Sequence, residues 1–301
     1  MIYYCCANNL NIGDYFSMLG VKEAIGLSGE EEFMELRDEP FSDFISSLEE
    51  NDILIVGGGG LFKDYFEKYW KDIIFHQKMR KFSLYLFGVG VCDIKNKSIS
   101  TVISNEFINE IIMISNSSFI RAPLPIRNIK VVETCCPSVL YVQKNYSSEE
   151  IPSQEKLLYV NHRGLVGKEK SKQIRGILQK YCSNNNLTYS EVNNIAKNPD
   201  EIRDMMDEYI SSKIIVTTRL HGYIIGRSVG KRVVAISNDY KIEGFADLIG
   251  DPVPLESHTL TEEILLEEID KCKQIDLEKL SQMIEDINNK GYQIRGLING
   301  N

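Results

Sequence analysis

Arg219 and His221 stand two residues apart, directly after the apolar run KIIVTT that ends at Thr218. An arginine offers a planar, permanently charged fork that clamps a phosphate or carboxylate at two points. A histidine exchanges a proton near neutral pH. Where a buried strand gives way to a helix, the unpaired N–H groups and the positive end of that helix lie beside the pair. Together these groups suit a small anionic ligand and a proton transfer. His76, inside an amphipathic helix, and His258, in a polar loop, have no such company and read as structural residues.

Geometry sets a condition on the pair. Residues two apart share a side on an extended chain, whereas on a formed helix they diverge by about 200°. Both side chains reach one ligand only if the helix starts after about Leu220, and Gly222 suits a late start. Lys241, in SNDYKIEGF after the apolar run RVVAIS, is placed to complete an anion pocket with Arg219. Arg163 and His162, in NHRG after LLYVN, are weaker candidates for the same cleft.

Toward the N-terminus, the loop ANNLNIGD (7–14) carries Asn11 and Asp14, which can bind hydroxyls or a phosphate-bearing acceptor. Asp14 also serves as a helix cap in the plainer reading. Gly13 permits a tight turn and should be hard to replace. GGGGLF follows the buried run DILIV, so Gly57, Gly58, Gly59 and Gly60 allow close backbone approach. They face either an anion at the next helix or merely a tightly packed helix. FGVGVCD (87–93) is a weaker copy of that loop. Neither loop is GxGxxG, and no lysine follows as in a P-loop.

Strands and helices alternate around these loops, the pattern of an α/β protein with parallel sheets covered on both faces. Predicted strands are MIYYCC, DILIV, FSLYLFGVGV, a short piece of SFIRAPLP broken by prolines, LLYVN, KIIVTT and RVVAIS. Helix faces are marked by Met18, Val21 and Ile25; by Phe41, Phe44, Ile45 and Leu48; by Phe66, Tyr69, Trp70 and Ile73; and by Ile174, Ile177, Leu178 and Tyr181. Asn198-Pro199-Asp200-Glu201 is a helix start. The polar segment YVQKNYSSEEIPSQEK (141–156) reads as a linker. It divides an N-terminal domain, 1–145, from a C-terminal one, 155–275. The tail 276–301 carries Leu277, Leu280, Ile284 and Ile287 on one helix face, with Gly291 as the expected stop. Ligands of such sheets bind beyond the carboxyl ends of the strands, so the loops above line an interdomain cleft.

A net charge of −9 argues against a general nucleic-acid binder, although a small anion needs only a local positive pocket. Seven cysteines without CxxC spacing or a Cys/His cluster suggest free thiols in a reducing compartment and no metal. The start has no basic-then-apolar leader, and no apolar run reaches the roughly 18 residues of a membrane span. The expectation is a cytoplasmic protein, with work at the inner face of the membrane left open and the oligomeric state unassigned.

NIGD at 11–14, GGGGLF at 57–62, CPSVL at 136–140 and above all TTRLHGYIIGRSVGKRVVAISNDYKIEGFADLIG at 217–250 resemble the polysaccharide pyruvyl transferase family. That resemblance implies two Rossmann-like domains facing across a cleft, as in GT-B glycosyltransferases, with the end of the chain crossing back to the first domain. It implies phosphoenolpyruvate as donor, a sugar as acceptor, lipid-linked or free, and a pyruvate ketal as product. Phosphoenolpyruvate would be a substrate, so no cofactor is expected. Arg219, Lys241 and Arg163 would hold the donor's anionic groups, and His221 would be the acid or a phosphate partner. Asp14 would be the base; Asn11 and the glycine loop would face the acceptor. Many members carry Arg-Asp followed by a serine at the end of the first domain; Arg121-Ala122-Pro123 lacks that acid, which leaves Arg121 without a role. Two other readings stay open: a nucleotide-sugar glycosyltransferase on the same fold, and a non-catalytic member that binds a glycan or anion. A nicotinamide dehydrogenase is remote without GxGxxG and its downstream acid.

Overall fold

The computed structural model describes residues 1–37, 40–91, 102–121, 131–146 and 154–300. Among them, six parallel strands form one sheet and five parallel strands a second. The first holds β1 (Ile2–Cys6), β2 (Glu31–Glu35), β3 (Ile53–Gly57), β4 (Ser83–Val89), β5 (Ser117–Arg121) and β6 (Val131–Thr134), in the order β2-β1-β3-β4-β5-β6. The second holds β7 (Lys156–Val160), β8 (Thr188–Val192), β9 (Ile214–Thr217), β10 (Arg232–Ser237) and β11 (Leu255–Glu256), in the order β11-β10-β9-β7-β8. Central strands are apolar on both faces because helices cover both: Leu54, Ile55 and Val56 of β3 are wholly buried, as are Leu157 through Val160 of β7. Register aligns Tyr4 with Ile55 on one side and Phe33 on the other.

The helices are α1 (Ile12–Ile25), α2 (Phe41–Ser47), α3 (Glu67–Arg80), α4 (Asn105–Ile114) and α5 (Ser138–Tyr146) in the first half. The second half carries α6 (Arg163–Val166), α7 (Lys168–Asn184), α8 (Asp200–Ser211), α9 (Leu220–Ser228), α10 (Tyr240–Ile249), α11 (Glu262–Lys271) and α12 (Leu277–Asn299). None of the described helices is long and apolar enough to cross a membrane.

Helix ends follow local chemistry. Asn198 Oδ1 accepts the Glu201 N–H at 3.2 Å at the start of α8, and Asp239 caps α10 by accepting the Lys241 N–H at 3.1 Å. Gly26 and Gly250 end α1 and α10 in the left-handed conformation, with φ of 58° and 69°.

Three expectations need correction. Residues 141–146 are not linker: they complete α5, with Val142 buried and the Tyr141 and Tyr146 rings 4.9 and 5.7 Å from the Phe16 ring of α1. Their polar neighbours hid a face that α1, α9 and α12 cover. Residues 147–153 of the expected linker, like Ala122 and Pro123, lie outside the described residues. Gly291 does not stop the last helix. It lies inside α12, where an added Cβ would sit 2.3 Å from the Ala24 backbone of α1, so its smallness permits close helix contact. The segment SNDYKIEGF (237–245), expected as a loop after a strand, is helical from Tyr240, so Lys241 stands in the first turn of α10.

α12 lies along the first half rather than the second. Lys290 Nζ donates to the Glu133 carbonyl at 2.5 Å and pairs with Asp286 at 2.6 Å, and Arg295 Nη1 reaches the Gly26 carbonyl at 3.5 Å. One apolar core runs without interruption from Tyr4 and Phe16, through Tyr223 and Ile224 of α9, to Ile287 and Ile294 of α12. The two sheets therefore meet across packed helices, and the carboxyl ends of β1, β3 and β5 stand opposite those of β7 and β9.

Candidate active site

The turn from β9 into α9 is fixed by one threonine. Thr217 Oγ1 accepts the Arg219 N–H at 3.0 Å and lies 3.0 Å from the Arg219 carbonyl, holding that residue extended at φ −120°, ψ 137°. Helix geometry begins at Leu220, so Arg219 projects from strand-like backbone while His221 projects from the first turn. Thr218 Oγ1 accepts the His162 N–H at 2.8 Å, and Arg219 Nε donates to the Asn161 carbonyl at 3.1 Å. These bonds tie the β7 and β9 loops into one wall. Gly222 is required beneath it, because a Cβ there would fall 2.2 Å from Thr217 Oγ1.

The opposite wall comes from the first half. Asn11 Oδ1 accepts the Gly13 N–H at 3.2 Å as the cap of α1, and Asn11 Nδ2 donates to Asp14 Oδ2 at 2.9 Å. His221 packs directly against Gly13: a Cβ at that position would come within 2.0 Å of the imidazole. The expected need for Gly13 thus has a tertiary cause, the ring of His221, in addition to its turn. Behind the ring, Cys136 Sγ sits 3.7 Å from His221 Nε2, 3.4 Å from Arg121 Nη1 and 3.0 Å from Ser17 Oγ.

Asn11, Asp14, Gly60, Arg121, His162, Arg219, His221 and Lys241 line one cavity of about 300 Å³, with Ala7, Arg37, Lys63 and Leu220. The glycine run divides in use. Gly58 and Gly59, at φ 70° and 82°, pack against Ser17 and Asp14, and Gly57 meets Val21, so these three serve the packing of loop on α1. Only Gly60 of the run faces the cavity. The second glycine loop carries Gly90, whose Cα side lies against Arg121 Nε. Arg163 opens α6 on the loop after β7, and its side chain lies outside the described residues.

Two basic residues of the cavity went unmarked in the sequence, and Arg121 was set aside for lacking a neighbouring acid. Arg121 is buried yet lines the cavity. Arg37 follows an edge strand too polar to notice and stacks over the Tyr65 ring at 5.2 Å. Lys63 precedes a 3₁₀ turn, Asp64–Phe66. A basic residue after a strand was the signal shared by Arg37 and Arg121, but β2 carries no apolar alternation to reveal it.

The charge balance favours an anion. Five basic side chains surround one carboxyl, Asp14. Lys241 Nζ is paired with Asp239 at 2.9 Å, outside the cavity lining. Burial, reinforced by Arg121, Lys241 and Arg219 and opposed by Asp14, pushes His221 down to about 3, so the ring is neutral at neutral pH. Burial and the charge of Arg219 push His162 down to about 4. Arg219 falls to about 10, again through burial, and stays charged at neutral pH. Burial raises Asp14 above the usual carboxylate range against the pull of His221 and Arg121. No group of three His, Cys, Asp or Glu among the described residues is placed to hold a metal.

A family model described as polysaccharide pyruvyl transferase matches residues 11–240. That span includes every cavity residue from Asn11 to His221, and Lys241 follows it directly. No curated protein matches the chain. Among solved structures, UDP-GlcNAc 2-epimerase from Methanocaldococcus jannaschii with UDP-GlcNAc and UDP superposes at TM-score 0.59 and 9% identity, covering 100% of this chain and 99% of that one. An uncharacterised protein from Klebsiella pneumoniae gives 0.50 at 20% identity, over 81% of this chain and 86% of that one. The S. aureus MnaA–UDP structure gives 0.57 at 11% identity, over 99% and 95%. At such identities the likeness establishes the GT-B-like fold and leaves the reaction to the site itself.

Proposed function

Because the chain belongs to the polysaccharide pyruvyl transferase family, we propose that it moves pyruvate from phosphoenolpyruvate to a sugar as a ketal. The observation that carries this reading is the cavity of about 300 Å³ where Arg37, Lys63, Arg121, Arg219 and Lys241 converge around His221. A donor with a phosphate and a carboxylate on adjacent carbons needs several cations within a few ångströms.

The chemistry follows from those groups. A proton passes to the terminal carbon of the enol, leaving positive charge at C2. One sugar hydroxyl attacks C2 and gives up its proton. A second hydroxyl then takes the place of the phosphate, which departs with that hydroxyl's proton. His221 is the donor of the first proton. Its neutral resting state is a consequence of burial among cations, and a bound dianion reverses the sign of the local field and draws a proton onto the ring. Arg219 and Lys241 hold the anionic groups, joined by Arg121, which the cavity restores to the set. Asp14 takes the hydroxyl proton; a raised affinity for protons suits a base. Asn11 orients it through the 2.9 Å bond. Work in the cytoplasm on a lipid-linked acceptor fits this scheme but is not needed by it.

The test is binding and turnover in the wild type and in Arg219→Ala and His221→Ala. Phosphoenolpyruvate should raise the melting temperature of the wild type, and UDP should not. Arg219→Ala should lose that shift. His221→Ala should keep binding but lose phosphate release in the presence of acceptor sugars by about a hundredfold or more. Stabilisation by UDP alone, or near-normal turnover in both variants, would overturn the reading.

A further inference from the structure

A second cavity, of about 820 Å³, adjoins the first and shares His162 and Arg219 with it. It opens where β7 and β8 end, between Gly164 of α6, Arg175 of α7 and the start of α8, and its lining belongs wholly to the second half of the chain. Its charges differ in kind from those of the small cavity. Arg175 Nε and Nη2 bind both oxygens of Glu191, at 2.6 and 2.7 Å. Glu191 also accepts from Asn161 Nδ2 at 3.0 Å and Tyr189 OH at 2.9 Å, and this network holds its carboxyl down at about 2. Lys197 lies 3.6 Å from Glu201, whose other oxygen accepts the Lys197 N–H at 2.9 Å. The cations of the large groove are therefore already matched with carboxylates, and Arg219, at the shared wall, is the exception. A nucleoside diphosphate would find a single surplus cation, Arg219 at the shared wall, and would face the carboxylate of Glu201 along the rest of the groove.

Neutral hydroxyls face a better match. Asn193, which uses its carbonyl oxygen on the Ile195 N–H at 2.9 Å, keeps its amide nitrogen as a donor. Ile195, 45% exposed, and Met205 supply apolar surface for the C–H face of a pyranose ring. We propose that this groove is the acceptor site, taking an uncharged pyranose whose reacting hydroxyls pass Arg219 and His162 into the small cavity; the assignment rests on reading that cavity as the donor site. It moves the body of the acceptor away from Asn11 and the glycine loop, where the sequence had put it, and leaves Asp14 to meet only the reacting hydroxyl. It also accounts for the size ratio of the cavities, since a sugar with its aglycone is much larger than phosphoenolpyruvate.

Methyl-labelled protein tests this without knowledge of the natural acceptor. Ile195 and Met205 report on the groove, and Leu220 on the small cavity. Phosphoenolpyruvate should shift Leu220. Methyl glucopyranoside, galactopyranoside and mannopyranoside, added to the phosphoenolpyruvate-loaded protein, should include at least one that shifts Ile195 and Met205. UDP should move neither. In Met205→Trp, which fills the groove, the glycoside response at Ile195 should weaken by about tenfold or more while the Leu220 response to phosphoenolpyruvate is kept. That retained response shows that the variant is folded. If phosphoenolpyruvate leaves Leu220 unmoved, the donor reading falls. If Leu220 responds but no glycoside moves Ile195 or Met205, or UDP moves them, or Met205→Trp leaves the glycoside response intact, the acceptor assignment alone falls.

Discussion

At the scale of single residues, the protonation of His221 is decided by its surroundings. Its pKa near 3 and that of His162 near 4 lie well below the value of about 6.5 that both regain on unfolding. Between those limits the unfolded chain binds more protons than the folded one, so stability falls as pH drops below about 6.5. Each imidazole contributes a slope of at most about 1.4 kcal/mol per pH unit, less for the more open His162. Replacing His221 by Gln removes one such contribution. The urea midpoint of His221→Gln should therefore fall less between pH 7 and pH 4.5 than that of the wild type. Parallel curves would mean that the ring is not held neutral. Arg121 belongs to the same scale. Its neighbour in sequence said little, but its burial beside Cys136 and Gly90 aims it at the cavity.

At the scale of elements, the β9–α9 junction is the part on which the site depends most. Arg219 and His221 converge because the helix starts between them, and it starts there because Thr217 Oγ1 holds the extended Arg219. Gly222→Ala places a methyl 2.2 Å from that oxygen and 2.9 Å from Val160 Cγ1. Overpacking of this kind costs about 1–3 kcal/mol. The variant should melt earlier and bind phosphoenolpyruvate poorly. Adding Thr217→Ala removes the nearest atom and should restore part of the stability, but not the binding, because Arg219 then lacks its anchor. Recovery of both together would show that Thr217 does not orient the arginine. The glycine run after β3 makes a contrasting case: three of its four members exist to let α1 lie close.

At the scale of the whole molecule, the halves are held in register by α12 and the shared core. Gly291 lets α12 touch the Ala24 backbone, and Lys290 bonds to the Glu133 carbonyl. A bulky side chain at 291 must push α12 away from α1, whose N-terminus carries Asn11, Gly13 and Asp14. Gly291→Leu should destabilise the protein by about 1–3 kcal/mol and lower turnover, although the substitution is in none of the cavity walls. Thermal unfolding and phosphate release measured on the same preparation check this. Lower stability with wild-type turnover would show that the cleft does not depend on the seating of α12.

Much of this was legible in the chain. Central strands such as DILIV and KIIVTT carry their own signal, because a strand buried on both faces must be apolar throughout. The loops after them held Asn11, Gly13, Asp14, His162 and Arg219 with His221, since a parallel sheet gathers its ligands at those ends. What the chain could not reveal alone were contacts between distant segments: His221 on Gly13, Cys136 beside His221, α12 against Ala24. Edge strand β2 and helix α5 escaped notice because their pattern is weak until a neighbour covers one face, whereas α10 carries Ile242, Phe245, Ala246 and Ile249 at helical spacing and was legible in the chain. Likewise Gly291 looks like a helix stop in isolation and becomes a point of close contact only when α1 is beside it. Local patterns set which elements form; which side chains share a cavity was decided by packing between residues far apart in the chain, and no local preference encodes that.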